Sequence, residues 1–262
     1  MLRLSELCIV ESRDELKDIP EGKVLINTIY AYSYNVAQKD KVFAEALHTM
    51  DNGKLIIDNE TECVKYLIPD GASIVMACRM LKAKSQPKER IAGWDLFSFE
   101  MDRLERKSEQ RKVKSEKLRV MFMGSSEKVL AKIRERMAVD YPNLEVVTYS
   151  PPFKPEFSDE DNKAIVQAVN ETNPDLLWIG MTAPKQEKWT YSHWKDLNIH
   201  CHVGNIGAVF DFYAGTVKRA PKWWQEHSIE WLYRLLKEPR RMWRRYVIGN
   251  PLFLWNVLKE RY

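Results

Sequence analysis

Residues 119–180 read RVMFMGSSEKVLAKIRERMAVDYPNLEVVTYSPPFKPEFSDEDNKAIVQAVNETNPDLLWIG, and they decide the fold class. Three short apolar runs stand in this stretch: 119–124 (RVMFMG), 144–149 (LEVVTY) and 176–180 (LLWIG). Helical patterns separate them, at 126–139 and 161–170, and a third follows at 184–197. Strands alternating with helices indicate βαβ units and a parallel sheet. Right-handed crossovers then place helices on both faces. Working outward, 199–203 (IHCHV) reads as a further strand and 23–28 (KVLINT) as a buried one. The apolar spacing of 35–50 predicts an amphipathic helix. A short strand at 66–68 ends in Pro69-Asp70-Gly71, and a helical run, 73–81, follows. Residues 100–117 are dense in charge and read as a solvated helix joining two halves.

The rest of the composition narrows the function classes. The 262 residues are 45% hydrophobic and 30% charged, which suits a globular chain. Four scattered cysteines with no CxxC pair argue against a disulfide scaffold and fit a reducing compartment. No apolar run suits a signal peptide or a spanning helix, so the expected location is the cytoplasm. The net charge of +4 is unevenly spread. Residues 218–262 carry eleven basic and four acidic side chains and five of the nine tryptophans, whereas the preceding 217 carry thirty and thirty-three. This basic, aromatic tail predicts an anionic surface or ligand. The chain therefore divides into an α/β core, 1–217, and a helical appendage, 218–262. Residues 247–258 (VIGNPLFLWNVL) are too short to span a bilayer but suit its interface.

Several residues are placed for chemistry. Gly124 and Gly180 end buried strands, where open α/β sheets bind ligands. Neither belongs to a GxGxxG or a P-loop, and tight turns explain both equally well. Asp70 is a carboxylate on a turn after a strand, suited to a general base or simply to capping the next helix. Thr182 reads as the cap of a helix opened by Pro184, which projects Lys185 and Gln186 at the sheet's carboxyl edge as donors to a phosphate or sugar. His193, His200, Cys201 and His202 match no common metal spacing. Arg234, Arg241 and Arg244 share one helical face if Pro239 permits continuity, and arginine forks suit phosphates. Basic and aromatic interleaving also suits single-stranded nucleic acid, although the repeated strand aromatics of an RNA-binding sheet are missing.

Taken together these motifs resemble the WecG/TagA/CpsF glycosyltransferases, glycosyltransferase family 26. Residues 180–189 (GMTAPKQEKW) resemble its G-x-x-x-P-K-Q-E-x-W block. Residues 204–215 and 218–221 resemble its G-V-G-x-x-F-D-x-x-A-G…R-A-P block. Residues 230–235 with 238–241 match E-W-x-x-R-L…P-x-R, and Pro69-Asp70-Gly71 and 89–95 (ERIAGWD) match its N-terminal elements. The resemblance implies a Rossmann-like sheet and an inverting transfer of an N-acetylmannosamine-type sugar from a UDP-sugar donor. The implied acceptor is a glycan on a polyprenyl diphosphate at the inner face of the plasma membrane, in teichoic-acid, capsule or exopolysaccharide assembly. It makes Asp70 the general base. Thr28 becomes a substrate-binding position near the reacting centre, Arg90 a holder of the donor or leaving phosphates, Gln186 and Asp211 donor-contacting positions, and Arg234, Arg241 and Arg244 ligands of the acceptor diphosphate. It implies peripheral membrane association, no cofactor, no metal and no nucleic acid, and leaves homo-oligomerisation open. The chain departs from the pattern at Tyr30, where asparagine is expected, in the longer segment 49–66, and at Gly204-Asn205-Ile206-Gly207 in place of G-V-G. A catalytically degenerate sugar-nucleotide binder is the main alternative, and a nucleic-acid-binding protein using the basic tail a further one.

Overall fold

The computed structural model describes residues 2–49, 54–57, 61–111, 117–227 and 229–262. Part of the unusual 49–66 segment and of the charged 100–117 stretch lies outside them. The chain runs β1 (Val24–Ile29), α1 (Ala31–Ala37), α2 (Lys41–Leu47), β2 (Lys54–Ile57), β3 (Thr61–Pro69), α3 (Ala72–Leu81) and α4 (Gly93–Gln110). It continues β4 (Leu118–Gly124), α5 (Glu127–Asp140), β5 (Leu144–Tyr149), α6 (Asp159–Thr172), β6 (Leu176–Gly180), α7 (Lys185–Ser192), β7 (His202–Asn205) and α8 (Val209–Tyr213). The tail folds as α9 (Lys222–Glu226), α10 (Glu230–Lys237), α11 (Pro239–Trp243) and α12 (Gly249–Arg261), with a π turn at Arg244–Ile248.

The strands form one sheet in the order β2-β3-β1-β7-β6-β4-β5. All neighbours run parallel except the β2–β3 pair, so the α/β reading holds, with one antiparallel edge strand. Strand alternation sorts the core into two faces. Val120 and Phe122 point to one, where α4, α5 and α8 pack; Met121 and Met123 point to the other, against α6 and α7. A third cluster joins the N-terminus, α1, α3 and α12.

The structure revises several sequence-based expectations. The helix expected over 35–50 is two helices, because Asp40 restarts the chain and caps α2 through Phe43 N–H (3.0 Å). The charged helix is α4, and it is not merely solvated: Glu100, Met101 and Leu104 are buried. His202 is buried in its packing, with Nδ1 3.1 Å from Glu100 and Nε2 2.9 Å from the Pro20 carbonyl. Pro184, not Thr182, is the cap residue of α7.

Glycine spacing sets the sheet's upper edge. Gly124 and Gly180 stand opposite each other in register. A Cβ on Gly124, whose φ is +116°, would lie 2.7 Å from the Gly180 carbonyl oxygen, and one on Gly180 would lie 2.5 Å from the Phe210 ring. Both therefore permit close approach of backbone and of α8.

The tail is tied to the body at its far end. Phe253 and Val257 of α12 are buried, and Phe253 packs edge-on against Tyr34. The Glu260 carboxylate accepts from Leu4 N–H (3.0 Å), Ser5 N–H (2.7 Å) and the Tyr34 hydroxyl (2.5 Å). Hydrogen bonds to a charged acceptor are worth about 1.5–3 kcal/mol each at most. Glu260→Ala is therefore expected to lower unfolding stability by about 2–4 kcal/mol, read as a shift in the urea midpoint; an unchanged midpoint would show that these bonds are replaced by water without loss.

Candidate active site

The carboxyl ends of β1 and β3 lie side by side, with Ile29 paired to Pro69. The Asp70 N–H donates to the Ile29 carbonyl (2.9 Å), which fixes the turn directly after β3. Gly71 opens α3 at φ +150°, a conformation unfavourable for other residues. A cavity of about 430 Å³ opens at this point. Tyr30, Tyr32, Asp70 and Arg90 line it from the sheet edge, and Met76 from α3. Glu230, Trp231, Arg234, Arg245, Tyr246 and Leu254 close it from the tail.

Charge is arranged unevenly around this space. Glu230 accepts from Arg234 (3.0 Å) with one oxygen and faces Arg90 (3.5 Å) with the other. It is thus committed to two cations. Asp70 instead takes the Gly93 N–H, and Arg90 and Arg234 act on it through space. Burial pushes the Asp70 carboxyl above the usual carboxylate range, the two arginines pulling against that rise. Arg219 belongs to the same electrostatic group and lies over the Trp94 ring (5.5 Å). Arg245 is held over the rings of Tyr30 (4.8 Å) and Tyr32 (5.2 Å), with its Nε unpartnered. Such a site offers guanidinium forks to an anion and a partly desolvated carboxyl to a proton.

The expected site residues fall into three groups. Asp70, Arg90 and Arg234 meet in the cavity. Thr28, Gln186 and Asp211 lie nearby at the sheet's carboxyl edge without lining it. Thr28 is buried next to the end of β1, and Asp211 accepts from the Thr216 hydroxyl (3.1 Å). Gln186 is buried against Gly207, its Oε1 taking Met181 N–H (3.1 Å). The other residues face elsewhere. Lys185 donates to the Lys154 carbonyl (2.6 Å) and covers the Phe157 ring. Arg241 is exposed and paired with Glu238 (2.6 Å), and Arg244 is exposed beside Trp243. Pro239 begins a new helix, so the three tail arginines do not share one continuous face. Gly124 and Gly180 serve packing, as described above. Sequence reasoning did not single out Glu230, Arg219 or Arg245 as site residues. For Glu230 and Arg219 a signal existed, since both fall inside the motifs 230–235 and 218–221.

The sequence matches the family described as "Glycosyl transferase WecG/TagA/CpsF family" over residues 27–262. It is similar to the N-acetylglucosaminyldiphosphoundecaprenol N-acetyl-beta-D-mannosaminyltransferase of Bacillus spizizenii, at 31% identity over 195 residues, 74% of this chain and 68% of that protein. The protein of the same name from Bacillus subtilis is 29% identical over 74% of this chain and 69% of its own length. That from Staphylococcus aureus is 27% identical over 75% and 70%.

The raised Asp70 carboxyl carries a sign that can be tested. Its folded-state pKa lies above the unfolded value of 3.8, so folding favours the protonated form, and stability is lost as pH rises through the folded pKa. Asp70→Asn removes that loss. The variant is expected to melt at or above the wild-type temperature at pH 7, with the gap closing below pH ~4; a lower melting temperature at both values would contradict this description of the site.

Proposed function

The chain belongs to the WecG/TagA/CpsF glycosyltransferase family, and on that premise we propose that it moves an N-acetylmannosamine-type sugar from a UDP-sugar to a polyprenyl-diphosphate-linked glycan with inversion. The observation that carries this reading is the placement of one enclosed carboxyl, Asp70, opposite three guanidiniums in a single cavity. The relatives' names supply the chemistry of the acceptor, an N-acetylglucosaminyl diphosphate on undecaprenol.

The step balances with these groups. The acceptor hydroxyl attacks the anomeric carbon while its proton passes to Asp70. The new glycosidic bond forms as the bond from the anomeric carbon to the diphosphate breaks. UDP leaves with the electron pair. Asp70 is suited to this because its partial desolvation raises its basicity. Glu230 is a poor candidate for the same role, since two arginines claim it. Arg90, Arg234 and Arg245 stabilise the diphosphates, those of the leaving group and the acceptor. Arg245 takes the place in the cavity that the motif assigned to Arg241 and Arg244. Thr28, Gln186 and Asp211, one layer back at the sheet edge, serve the donor. Gly124 and Gly180 hold that edge in shape for it. The core, 1–217, thus carries the donor side, and the appendage, 218–262, closes the acceptor side.

The appendage also supports a membrane role. Trp243, Val247, Ile248, Leu254 and Trp255 expose between 44% and 66% of their surface, next to exposed Arg240, Arg241 and Arg244. No helix among the described residues is long and apolar enough to cross a membrane. The arrangement suits peripheral binding to an anionic leaflet, with the lipid-linked acceptor presented at the cavity mouth. In this reading the protein works at the cytoplasmic face, and a second copy is not needed to complete the site.

Two outcomes follow. UDP release from UDP-sugars should depend on an added polyprenyl-diphosphate-linked acceptor, and Asp70→Asn should lower kcat by about 10²–10⁴-fold while the protein stays folded; a folded variant with wild-type turnover refutes the base assignment. Flotation with phosphatidylglycerol vesicles should weaken as salt rises from about 0.05 to 0.5 M, and further on Trp243→Ala with Trp255→Ala. Salt-independent binding that survives both substitutions would remove the appendage from the membrane contact.

A further inference from the structure

The cavity at the end of β3 has two chemically different halves. Asp70, Arg90, Glu230 and Arg234 make one, and every one of them is ionisable. Met76 of α3 and Phe253 and Leu254 of α12 stand in the other, and none of these carries a charge, hydroxyl or amide. The transfer mechanism uses only the first half.

The apolar half does not end at the cavity. On α3 the lining positions are Ala72, Ser73 and Met76, and the same helical stripe continues one turn later at Met80. On α12 they are Asn250, Phe253 and Leu254, and the stripe continues at Leu258. Met76 and Leu254 are 62% and 54% exposed, and Met80 and Leu258 are 38% and 41% exposed. The two helices touch and run in the same direction. Their first turns line the cavity, and their far ends converge on Ser5. The Ser5 N–H donates to Glu260 (2.7 Å), and its carbonyl accepts from Lys84 N–H (2.9 Å), just beyond α3. Between the helices, Ile74, Ala77 and Cys78 pack with Phe253 and Val257 into a closed apolar floor. Two neighbouring rows of exposed apolar side chains therefore start at the cavity and lead away from its arginines. Four residues of helix advance about 6 Å, so each row lengthens the apolar half by that much. The core does not need these side chains, and a contiguous apolar strip of this kind marks a contact with something outside the chain.

We propose that this strip seats the first isoprene units of the acceptor: the diphosphate lies against the guanidiniums, and the chain runs out along Met76–Met80 and Leu254–Leu258 before entering the bilayer. This rests on the reading of the cavity as the site of a polyprenyl-diphosphate-linked acceptor. Continuity of the two halves selects the occupant. A ligand that fills both carries concentrated negative charge at one end and a hydrocarbon chain at the other. A sugar nucleotide has the charge without the chain, and a glycan has neither. Methionine also suits a flexible branched hydrocarbon, since its unbranched, polarizable side chain adapts to irregular shapes.

The test measures binding without vesicles, donor or turnover. Farnesyl diphosphate, dimethylallyl diphosphate and inorganic diphosphate are titrated into the protein by calorimetry, below the concentration at which the lipid forms micelles. Affinity is expected to rise about tenfold or more from the one-isoprene to the three-isoprene ligand. In Met80→Gln with Leu258→Gln that gain should shrink to less than about threefold, and Met80→Leu with Leu258→Met should restore it. Equal affinity for all three ligands in the wild type overturns the proposal. So does a gain that survives the glutamines. Survival together with lost vesicle flotation would assign the strip to the bilayer, and survival while a dimer falls to monomers would assign it to a second copy. Farnesyl diphosphate that binds through the strip in a protein transferring sugar from no UDP-sugar would uphold the lipid seat and overturn the glycosyl-transfer reading instead.

Discussion

The double pairing of Glu230 is the interaction on which the site depends. One carboxylate on the first turn of the tail's amphipathic helix faces Arg90 from the core and Arg234 from its own helix. It lets two cations stand close to each other and to Asp70 without uncompensated repulsion. It also joins the appendage to the sheet edge at the point where chemistry would occur. At the other end, Glu260 fastens α12 to residues 4 and 5 and to Tyr34. Between those two anchors, α10 to α12 form the wall that turns the end of β3 from an open edge into a cavity.

The electrostatics of that cavity separate two carboxyls by role. Glu230 is paired with two guanidiniums. Asp70 is enclosed and pushed toward its neutral form, with the arginines acting on it at longer range. A group so placed can accept a proton as an alcohol attacks and need not form a covalent bond to the sugar. Glu187, a third carboxyl, is the most isolated from cations and is matched instead to an amide. The three carboxyls thus stand in three different environments, one enclosed by the cavity, one paired with cations and one buried beside an amide.

Much of this order can be read in the sequence, and the reasons for the remainder are physical. The parallel strands are visible because buried strands of α/β sheets are short continuous apolar runs bounded by turns. Asp70, Arg90 and Arg234 stand out because they sit in motifs of fixed spacing. Arg245 does not, since its meaning comes from Tyr30 and Tyr32, more than 200 residues earlier in the chain, which hold it in the wall. Periodicity misplaces Arg241 and Arg244 because Pro239 restarts the helix and a π turn follows, shifting the register. Glu187 reads as part of an ordinary charged helix start, KQEK. Only the diversion of both neighbouring lysines, Lys185 to the Lys154 carbonyl and Lys188 to Asp40, shows that it is buried alone. The burial of α12 is equally silent, for an apolar, aromatic segment of that length suits a core or a bilayer surface alike.

The central claim is that Asp70 takes the proton in the transfer step. The most direct measurement is the pH dependence of kcat, at saturating donor and lipid-linked acceptor. The account predicts an acid limb displaced upward from the ordinary aspartate range near ~3.9, below which turnover falls tenfold per pH unit, and which disappears with the residual rate of Asp70→Asn. Turnover that stays level down to pH ~4 in the wild type, or an acid limb retained unchanged in Asp70→Asn, would contradict it.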